Sequence, residues 1–221
     1  MTQLDPGLQS TVGIAPQTPL PAAWLGLPTA PQVHPHWAST YLLTPTQTTN
    51  LLAQISYDKS QWSTGMIGDN NQLGKYQIST VLLENYGILA TGSNTEYGTD
   101  CIYYKHCWQQ TVIPRSNGNG NYAYNVTGYS DFLNNIAAQD NLAYQILFDI
   151  NLALSQNGAL KIGDAADVIA GMMYVGWELG TGNSATYQNL SGSGAWAWRY
   201  HAVGAGTNAY ISGRYAVVIL S

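Results

Sequence analysis

Few residues of this chain have the types and spacing that catalysis requires. The glutamates and histidines are scattered along the chain, at Glu84, Glu96, Glu178, His34, His36, His106 and His201. Dispersed histidines do not favour a catalytic triad or a metal centre. The sequence also lacks a GxxxxGKS or GxxxxGKT phosphate-binding loop and a GxSxG nucleophile elbow. We therefore predict no metal site and no cofactor.

One segment, IGDNNQLGKYQIS, places four residues with binding chemistry in a row: Gly74, Lys75, Tyr76 and Gln77. They form a Gly-x-Tyr-Gln core between an asparagine-rich turn and a predicted helix. Glycine lets the backbone approach a neighbouring group closely, and a glutamine amide both donates and accepts hydrogen bonds. This core is the one constellation in the sequence that indicates a ligand site.

The Gly-x-Tyr-Gln core resembles the Gly-Leu-Tyr/Met-Gln motif of the lytic transglycosylase and goose-type lysozyme superfamily. In that superfamily the motif lines the groove that holds a glycan strand of peptidoglycan. The resemblance implies that Ser60, Gly74, Tyr76 and Gln77 bind substrate. It covers residues 46–221, because the order of the helices and the ending RYHAVGAGTNAYISGRY also resemble such domains in tailed phages. The implied fold is a mainly α, lysozyme-like helical domain.

The catalytic glutamate of the superfamily has no counterpart at the matching position. In the family, a Glu-Ser pair near the end of the first helix donates the proton, and counting back from Gly74 aligns that pair with Lys59 and Ser60. Lysine is a poor substitute, since its usual pKa is about 10.4 and its charge would repel a developing oxocarbenium ion. Asp58 is the candidate catalytic acid. Because neighbouring helical positions are about 100° apart, Asp58 would act only if the helix end is shifted or unwound.

Two cysteines, Cys101 and Cys107, lie close together in CIYYKHC. The spacing fits a small disulfide-bonded loop or two reduced core thiols. A closed zinc site needs four ligands, and the sequence has no second cluster of cysteine and histidine to supply them. We favour a disulfide or two reduced core thiols over a metal site, and a disulfide between Cys101 and Cys107 would imply a working life outside a reducing cytosol.

The elements that must position these residues are mainly helices. Helical spacing of apolar residues predicts four of them, in TQTTNLLAQISYDKSQW, STVLLENYGILA, SDFLNNIAAQDNLAYQILFDINLALSQNG and DAADVIAGMMYVGWELGTG. The second is predicted to begin at a cap on Ser79 or Thr80 and to end at Gly87. Residues 92–128 are rich in glycine, asparagine and tyrosine, which predicts a long irregular insertion with short strands.

The two later helices carry their own start and packing signals. Ser130 or Asp131 can cap the third helix, and Asp164 can cap the fourth. Gly171 and Gly176 are small enough to let another element pack closely against the fourth helix. The final segment, YISGRYAVVILS, fits either a strand or a last helical turn.

The first 45 residues differ from the rest of the chain. Eight of the nine prolines fall between Pro6 and Pro45, and Asp5 is the one charged side chain of residues 1–57. Proline removes backbone donors and disfavours helix in the residue before it, which predicts an extended segment. Its apolar side chains, among them Trp24 and Trp37, favour contact with the chain's own domain or with a neighbouring subunit. We predict an extended proline-rich assembly arm over residues 1–45 and a lysozyme-like domain over residues 46–221.

The composition favours a subunit of a larger assembly. Charged residues make up 9% of the chain, against about 25% in an average globular protein. The chain has 16 tyrosines and 2 phenylalanines. Tyrosine combines an apolar ring with a polar tip and is enriched where protein surfaces meet partners. A surface this poor in charge relies little on electrostatic repulsion for solubility, which suits a surface that other subunits cover.

The charge pattern and the hydropathy exclude two kinds of partner. The net charge is −5, and the seven lysines and arginines form no basic stripe, which excludes a nucleic-acid footprint. No apolar run approaches the length of a membrane span. Residues 1–25 lack the layout of a secretory signal, so we expect the chain in the cytoplasm or released by another route, such as lysis.

Two functions of different classes follow from these observations. The first is a structural component of a phage virion, in the tail or baseplate of a contractile-tailed phage, and the resemblance suggests the T4-like phages of cyanobacteria in particular. It would be assembled in the host cytoplasm, bind other virion subunits through its arm, and keep a peptidoglycan-binding groove without the catalytic glutamate. The alternative is an active virion-associated muramidase or lytic transglycosylase that uses Asp58 as acid and the acetamido group of the substrate as nucleophile. The low charge, the tyrosine content and the apolar arm favour the structural component.

Overall fold

The computed structural model describes residues 42–109, 111–114, 121–124, 126–156, 158–179, 210, 212–214 and 216–217. The predicted assembly arm lies outside these residues, apart from its last four. The described part of the chain is mainly helical, as the sequence predicted. None of the helices within it combines the length and the apolar character that crossing a membrane would require.

Six α-helices, two 3-10 helices and two strands make up the described elements. The α-helices are α1 (Pro45–Ser60), α2 (Thr80–Asn85), α3 (Ser93–Tyr97), α4 (Tyr129–Asn134), α5 (Ile136–Gln156) and α6 (Ala166–Leu179). The 3-10 helices, Gly98–Tyr103 and Lys105–Cys107, follow α3. The strands β1 (Thr111–Pro114) and β2 (Asn121–Tyr124) pair antiparallel, with Thr111 opposite Tyr124. The predicted insertion therefore contains short helical turns as well as the predicted short strands.

The chain divides into two units, and the boundary between them passes through α1 and α5. Among the described residues, one unit holds Ile55–Gln145, and we call it the motif unit because it contains the Gly-x-Tyr-Gln core. The other holds residues 42–54 together with the described residues from Ile146 onward, and we call it the terminal unit. Each unit buries its own set of apolar side chains.

In the motif unit, α2 begins and ends where local chemistry predicts. The hydroxyl of Ser79 accepts a hydrogen bond from the backbone N–H of Leu82 at 3.3 Å, which caps the first turn. Gly87 has a φ of 69°, the left-handed conformation that commonly follows a helix. The Glu84 carboxylate then accepts hydrogen bonds from the backbone N–H groups of Gly92 and Asn94, at 2.7 and 2.8 Å. These bonds lower the pKa of Glu84 and fix the start of the insertion.

The third predicted helix is broken into two, α4 and α5, at Asn135. The side-chain oxygen of Asn135 accepts a hydrogen bond from the backbone N–H of Ala138 at 2.9 Å. Asn135 therefore caps α5, although it lies in the middle of the predicted helix. The start also differs from the prediction, because α4 begins at Tyr129. Asp131 lies within α4, and its carboxylate accepts hydrogen bonds from the N–H and the hydroxyl of Thr127, at 2.9 and 2.7 Å.

In the terminal unit, helical residues near the C terminus lie against α6. Residues 210, 212–214 and 216–217 have helical backbone, so the described part of the final segment takes the second of the two forms that the sequence allowed, a helical turn. A Cβ added at Gly171 would lie 2.6 Å from the Tyr210 ring, which confirms the close packing predicted there. The guanidinium of Arg214 donates to the Asp167 carboxylate, with 2.8 Å between Nε and Oδ2. The start of α6 differs slightly from the prediction: the helix begins at Ala166, and Asp164 accepts a bond from the N–H of Lys161.

Candidate functional site

The Gly-x-Tyr-Gln core is a tight turn closed by backbone hydrogen bonds. Leu73 and Ile78 flank it and exchange two bonds, at 2.9 and 3.0 Å between nitrogen and oxygen. Gly74 and Gln77 both have left-handed φ angles, 74° and 50°. The side-chain amide of Gln77 donates to the carbonyl oxygen of Gly74 at 2.8 Å, across the turn itself. The amide that we predicted for sugar binding is thus engaged in holding its own turn.

The side chain of Gln139, at the start of α5, also holds this turn in place. Its Oε1 accepts a hydrogen bond from the backbone N–H of Lys75 at 2.9 Å. Its Nε2 donates to the carbonyl oxygens of Phe132 and Leu133, at 3.0 and 3.1 Å. A Cβ at Gly74 would overlap the Gln139 amide. Close approach therefore explains the glycine, as predicted, but the approaching group belongs to the protein and not to a sugar.

Lys75, Tyr76 and Asp140 form a buried polar cluster beneath the turn. Lys75 Nζ lies 2.6 Å from Asp140 Oδ1, and the Tyr76 hydroxyl donates to the same oxygen at 2.7 Å. The side chains of Lys75 and Asp140 are 0% and 1% exposed, and Tyr76 is 0% exposed. Lys75 Nζ also lies 5.3 Å from the centre of the Tyr76 ring. The three groups form a charge pair with a neutral hydrogen-bond donor, enclosed by protein.

Burial sets the protonation behaviour of this cluster. Loss of water around Lys75 lowers the pKa of its ammonium group, and the charge and hydrogen bond of Asp140 act in the opposite direction. The pKa of Tyr76 is raised well above its usual value, first by burial and then by the negative charge of Asp140. Tyr76 therefore stays protonated at neutral pH and serves as a donor to the carboxylate.

Ser60, the last residue of α1, connects that helix to the turn. Its hydroxyl lies 2.7 Å from the carbonyl oxygen of Lys75 and 3.1 Å from that of Ser56, and it donates to both. The side chain is buried. Ser60 thus contacts the Gly-x-Tyr-Gln turn, as its alignment with the superfamily serine implies, but its hydroxyl is used within the protein.

Asp58, the predicted catalytic acid, lies on a different side of α1. Two helical positions correspond to a rotation of about 200°, and Ser60 marks the direction of the turn. Asp58 is exposed, whereas Ser60 and Ser56 are buried. Since α1 continues as a regular helix to Ser60, its end is not unwound in the way that a catalytic Asp58 would require.

The four residues predicted to bind substrate differ in how much of their surface the protein covers. Tyr76 has no exposed surface, and Gly74 and Ser60 are buried as well, so none of these side chains offers a surface to a glycan strand. Gln77 is half-buried and is the member of the set that reaches solvent. Lys75, between Gly74 and Tyr76 in the turn, is paired with Asp140 in the protein interior, which is consistent with this burial.

Sequence reasoning missed Asp140 and Gln139, the two residues that hold the turn. One signal was available for Asp140: it lies four residues after Ile136 and seven before Leu147, a spacing at which a helix places residues on its buried face. A charged residue at such a position indicates a buried partner of opposite charge. The matching cation was Lys75, which stands where the superfamily motif has an apolar leucine.

The two cysteines are free, buried thiols, and the structure has no bond between them. They correspond to the second alternative that the spacing allowed, two reduced core thiols. Both lie in the 3-10 helices of the insertion. Burial and the nearby Cys107 raise the pKa of the Cys101 thiol to about 11. A thiol with so high a pKa reacts slowly at neutral pH, which fits a packing role.

Within the described part of the chain, no group of three or more histidine, cysteine, aspartate or glutamate side chains could hold a metal ion. Comparison with protein-family models, with characterised proteins and with solved structures finds no match for the chain. The geometry of the buried cluster and its surroundings therefore carries the functional argument.

Proposed function

We propose that the chain is a structural component of a phage virion, in the tail or baseplate, with a lysozyme-like domain that does not cut peptidoglycan. The observation that carries this proposal is the buried cluster of Lys75, Tyr76 and Asp140. It occupies the turn that would line the glycan groove of a lytic enzyme. The low charge and high tyrosine content of the chain support an assembly role independently.

The buried cluster cannot supply the proton that glycoside cleavage requires. A general acid needs a carboxylic acid within hydrogen-bond reach of the glycosidic oxygen. The Asp140 carboxylate accepts from Lys75 and Tyr76 and is 1% exposed, so no substrate oxygen can approach it. An ammonium group at 2.6 Å also favours the ionised carboxylate, which has no proton to donate.

The glutamates offer no replacement for the missing acid. Glu84 uses both carboxylate oxygens to hold Gly92 and Asn94. Glu96 and Glu178 are exposed, on α3 and α6, and Glu178 belongs to the terminal unit. Asp58, the candidate acid that the alignment suggests, has an exposed carboxylate, which favours the alternative, an active hydrolase.

The proposal is tested by incubating the full chain with purified peptidoglycan over pH 4 to 8. Soluble muropeptides, including anhydro products, are measured by liquid chromatography and mass spectrometry. We expect no release above the buffer control at any pH. Release that disappears in Asp58→Asn and persists in Glu178→Gln would establish the hydrolase instead. Glu178→Gln is the matched control, because it removes an exposed carboxylate from the other unit.

The proposed place of the chain in a virion is tested by a separate measurement. Mass spectrometry of purified particles whose genome encodes the chain should find it in stoichiometric amounts alongside the tail proteins. Its absence from the particles would contradict the assignment, even if the chain proved inactive on peptidoglycan.

A further inference from the structure

A group of aromatic side chains lies on and beside the 3-10 helices. None of its members belongs to the buried cluster of Lys75, Tyr76 and Asp140. The rings of Tyr97 and Tyr104 lie 4.8 Å apart, and His106 lies 5.2 Å from Tyr97 and 5.8 Å from Tyr104. The neighbouring Tyr103 meets Tyr129 edge-on, with 5.5 Å between ring centres. We call these five residues the aromatic cluster.

The aromatic cluster exposes large rings that are nevertheless fixed in position. Tyr103 and Tyr104 are 52% and 43% exposed. The Tyr103 hydroxyl donates to Asn71 Oδ1 at 3.1 Å, and Asn71 Nδ2 donates to Asp100 Oδ1 at 3.0 Å. Because Tyr103 is held in advance by this hydrogen bond, its side chain would lose little conformational freedom when a ligand binds. Exposed, preorganised tyrosines of this kind are typical of binding surfaces.

The chain itself contains a ligand of suitable chemistry. Proline-rich segments in the polyproline II conformation dock on surfaces lined by aromatic rings, where proline rings stack and free carbonyls accept hydrogen bonds. The segment Pro16–Pro35 contains two PxxP sequences, Pro16–Pro19 and Pro28–Pro31. It has no charged side chain, so its contact with tyrosine and histidine needs no ionic partner.

We propose that the aromatic cluster binds the segment Pro16–Pro35 of the same chain. The stretch from Pro16 to Leu42 would span about 80 Å as a polyproline II helix. This length is large compared with a folded unit of about 90 residues, such as the motif unit, which would be about 30 Å across. Covalent attachment gives the segment a high effective concentration at the cluster, which favours the same chain over a second copy. This contact does not depend on the virion role and can fail separately from it.

Photo-crosslinking of the full chain tests the contact. Benzoylphenylalanine replaces Tyr104 in one protein and Val81, which is 55% exposed on α2, in a control protein. After irradiation, crosslinked peptides are mapped by mass spectrometry and the products are sized under denaturing conditions. We expect position 104 to crosslink to Pro16–Pro35 in a product of monomer mass, and position 81 not to do so. A product of dimer mass would assign the site to a second copy, and crosslinks elsewhere would overturn the proposal.

A second variant keeps the test independent of the photoreactive residue. Substituting alanine at Pro28 and Pro31 together should abolish or strongly reduce the crosslink from position 104. The matched control, Pro6→Ala, lies outside the proposed ligand and should leave the yield unchanged. An unchanged yield in the double variant would show that the prolines do not form the contact, which would also overturn the proposal.

Discussion

Two ion pairs, one in each unit, join similar groups at similar distances in different surroundings. The side chains of Lys75 and Asp140 in the motif unit are 0% and 1% exposed, whereas Arg214 and Asp167 in the terminal unit are 17% and 18% exposed. The closest nitrogen–oxygen distances are 2.6 and 2.5 Å. Distance therefore does not distinguish the two pairs, and access to water does.

The difference in hydration determines what each pair does for the fold. A buried pair loses the hydration of both charges, and removing one partner leaves the other charged and enclosed. A pair that keeps some contact with water loses less, because solvent takes the place of the missing partner. The Gly-x-Tyr-Gln turn contains Lys75, one partner of the buried pair. We therefore interpret the residues of the turn as structural.

The largest effect is expected from Asp140→Asn in the motif unit. The substitution keeps an acceptor for Tyr76 but removes the negative charge that lies 2.6 Å from the buried Lys75 ammonium. Breaking a buried pair in this way costs about 3–5 kcal/mol in the free energy of unfolding. Urea unfolding followed by tryptophan fluorescence measures the change.

The double variant Lys75→Met with Asp140→Asn is the control for that loss. It removes the cation as well, and methionine fills a similar volume, so most of the lost stability should return. If Asp140→Asn instead cost less than about 1 kcal/mol, the pair would behave like an exposed one. The interpretation of the turn as internal structure would then lose its basis.

The next largest effect is expected from Gly74→Ala, compared with Gly87→Ala. Both glycines have left-handed φ angles, 74° and 69°, so alanine is strained by about 1–2 kcal/mol at either position. Within the described part of the chain, a Cβ at Gly87 meets no atom within 4 Å, whereas one at Gly74 overlaps the Gln139 amide. Gly74→Ala should therefore cost about 1–3 kcal/mol more, by overpacking. Equal losses in thermal or urea unfolding would mean that contact with Gln139 does not explain the glycine.

The sequence was sufficient for elements that depend on local chemistry. The cap at Ser79 and the stop at Gly87 were predicted, because each acts on its own neighbours in the chain. The break at Asn135 was missed, since apolar periodicity continues through it and only the bond from Asn135 to Ala138 reveals a new helix start. Asp140 could not be paired with Tyr76 from the sequence, because their contact joins residues 64 positions apart in the chain.

A smaller effect, with a distinct pH dependence, is expected from Tyr76→Phe. The lost hydroxyl donates to a carboxylate, and such a bond contributes about 1.5–3 kcal/mol at neutral pH. The folded-state pKa of Tyr76 is raised, so this contribution is complete below pH 10 and is lost as the pH rises toward the folded-state pKa. The stability difference between the parent chain and Tyr76→Phe should narrow above pH 10. A gap that stayed constant from pH 8 to 11 would contradict the buried, protonated state.

The smallest effect is expected from Arg214→Met in the terminal unit. Asp167 retains contact with water, and methionine keeps an apolar stem in place of that of Arg214, whose guanidinium carbon lies 5.7 Å from the centre of the Tyr210 ring. A partly exposed pair contributes about 0.2–1 kcal/mol, and salt weakens it. Urea unfolding in low and high salt should give a small loss that shrinks as salt is added, whereas the loss in Asp140→Asn should barely respond. If both losses responded equally to salt, access to water would not be what separates the two pairs.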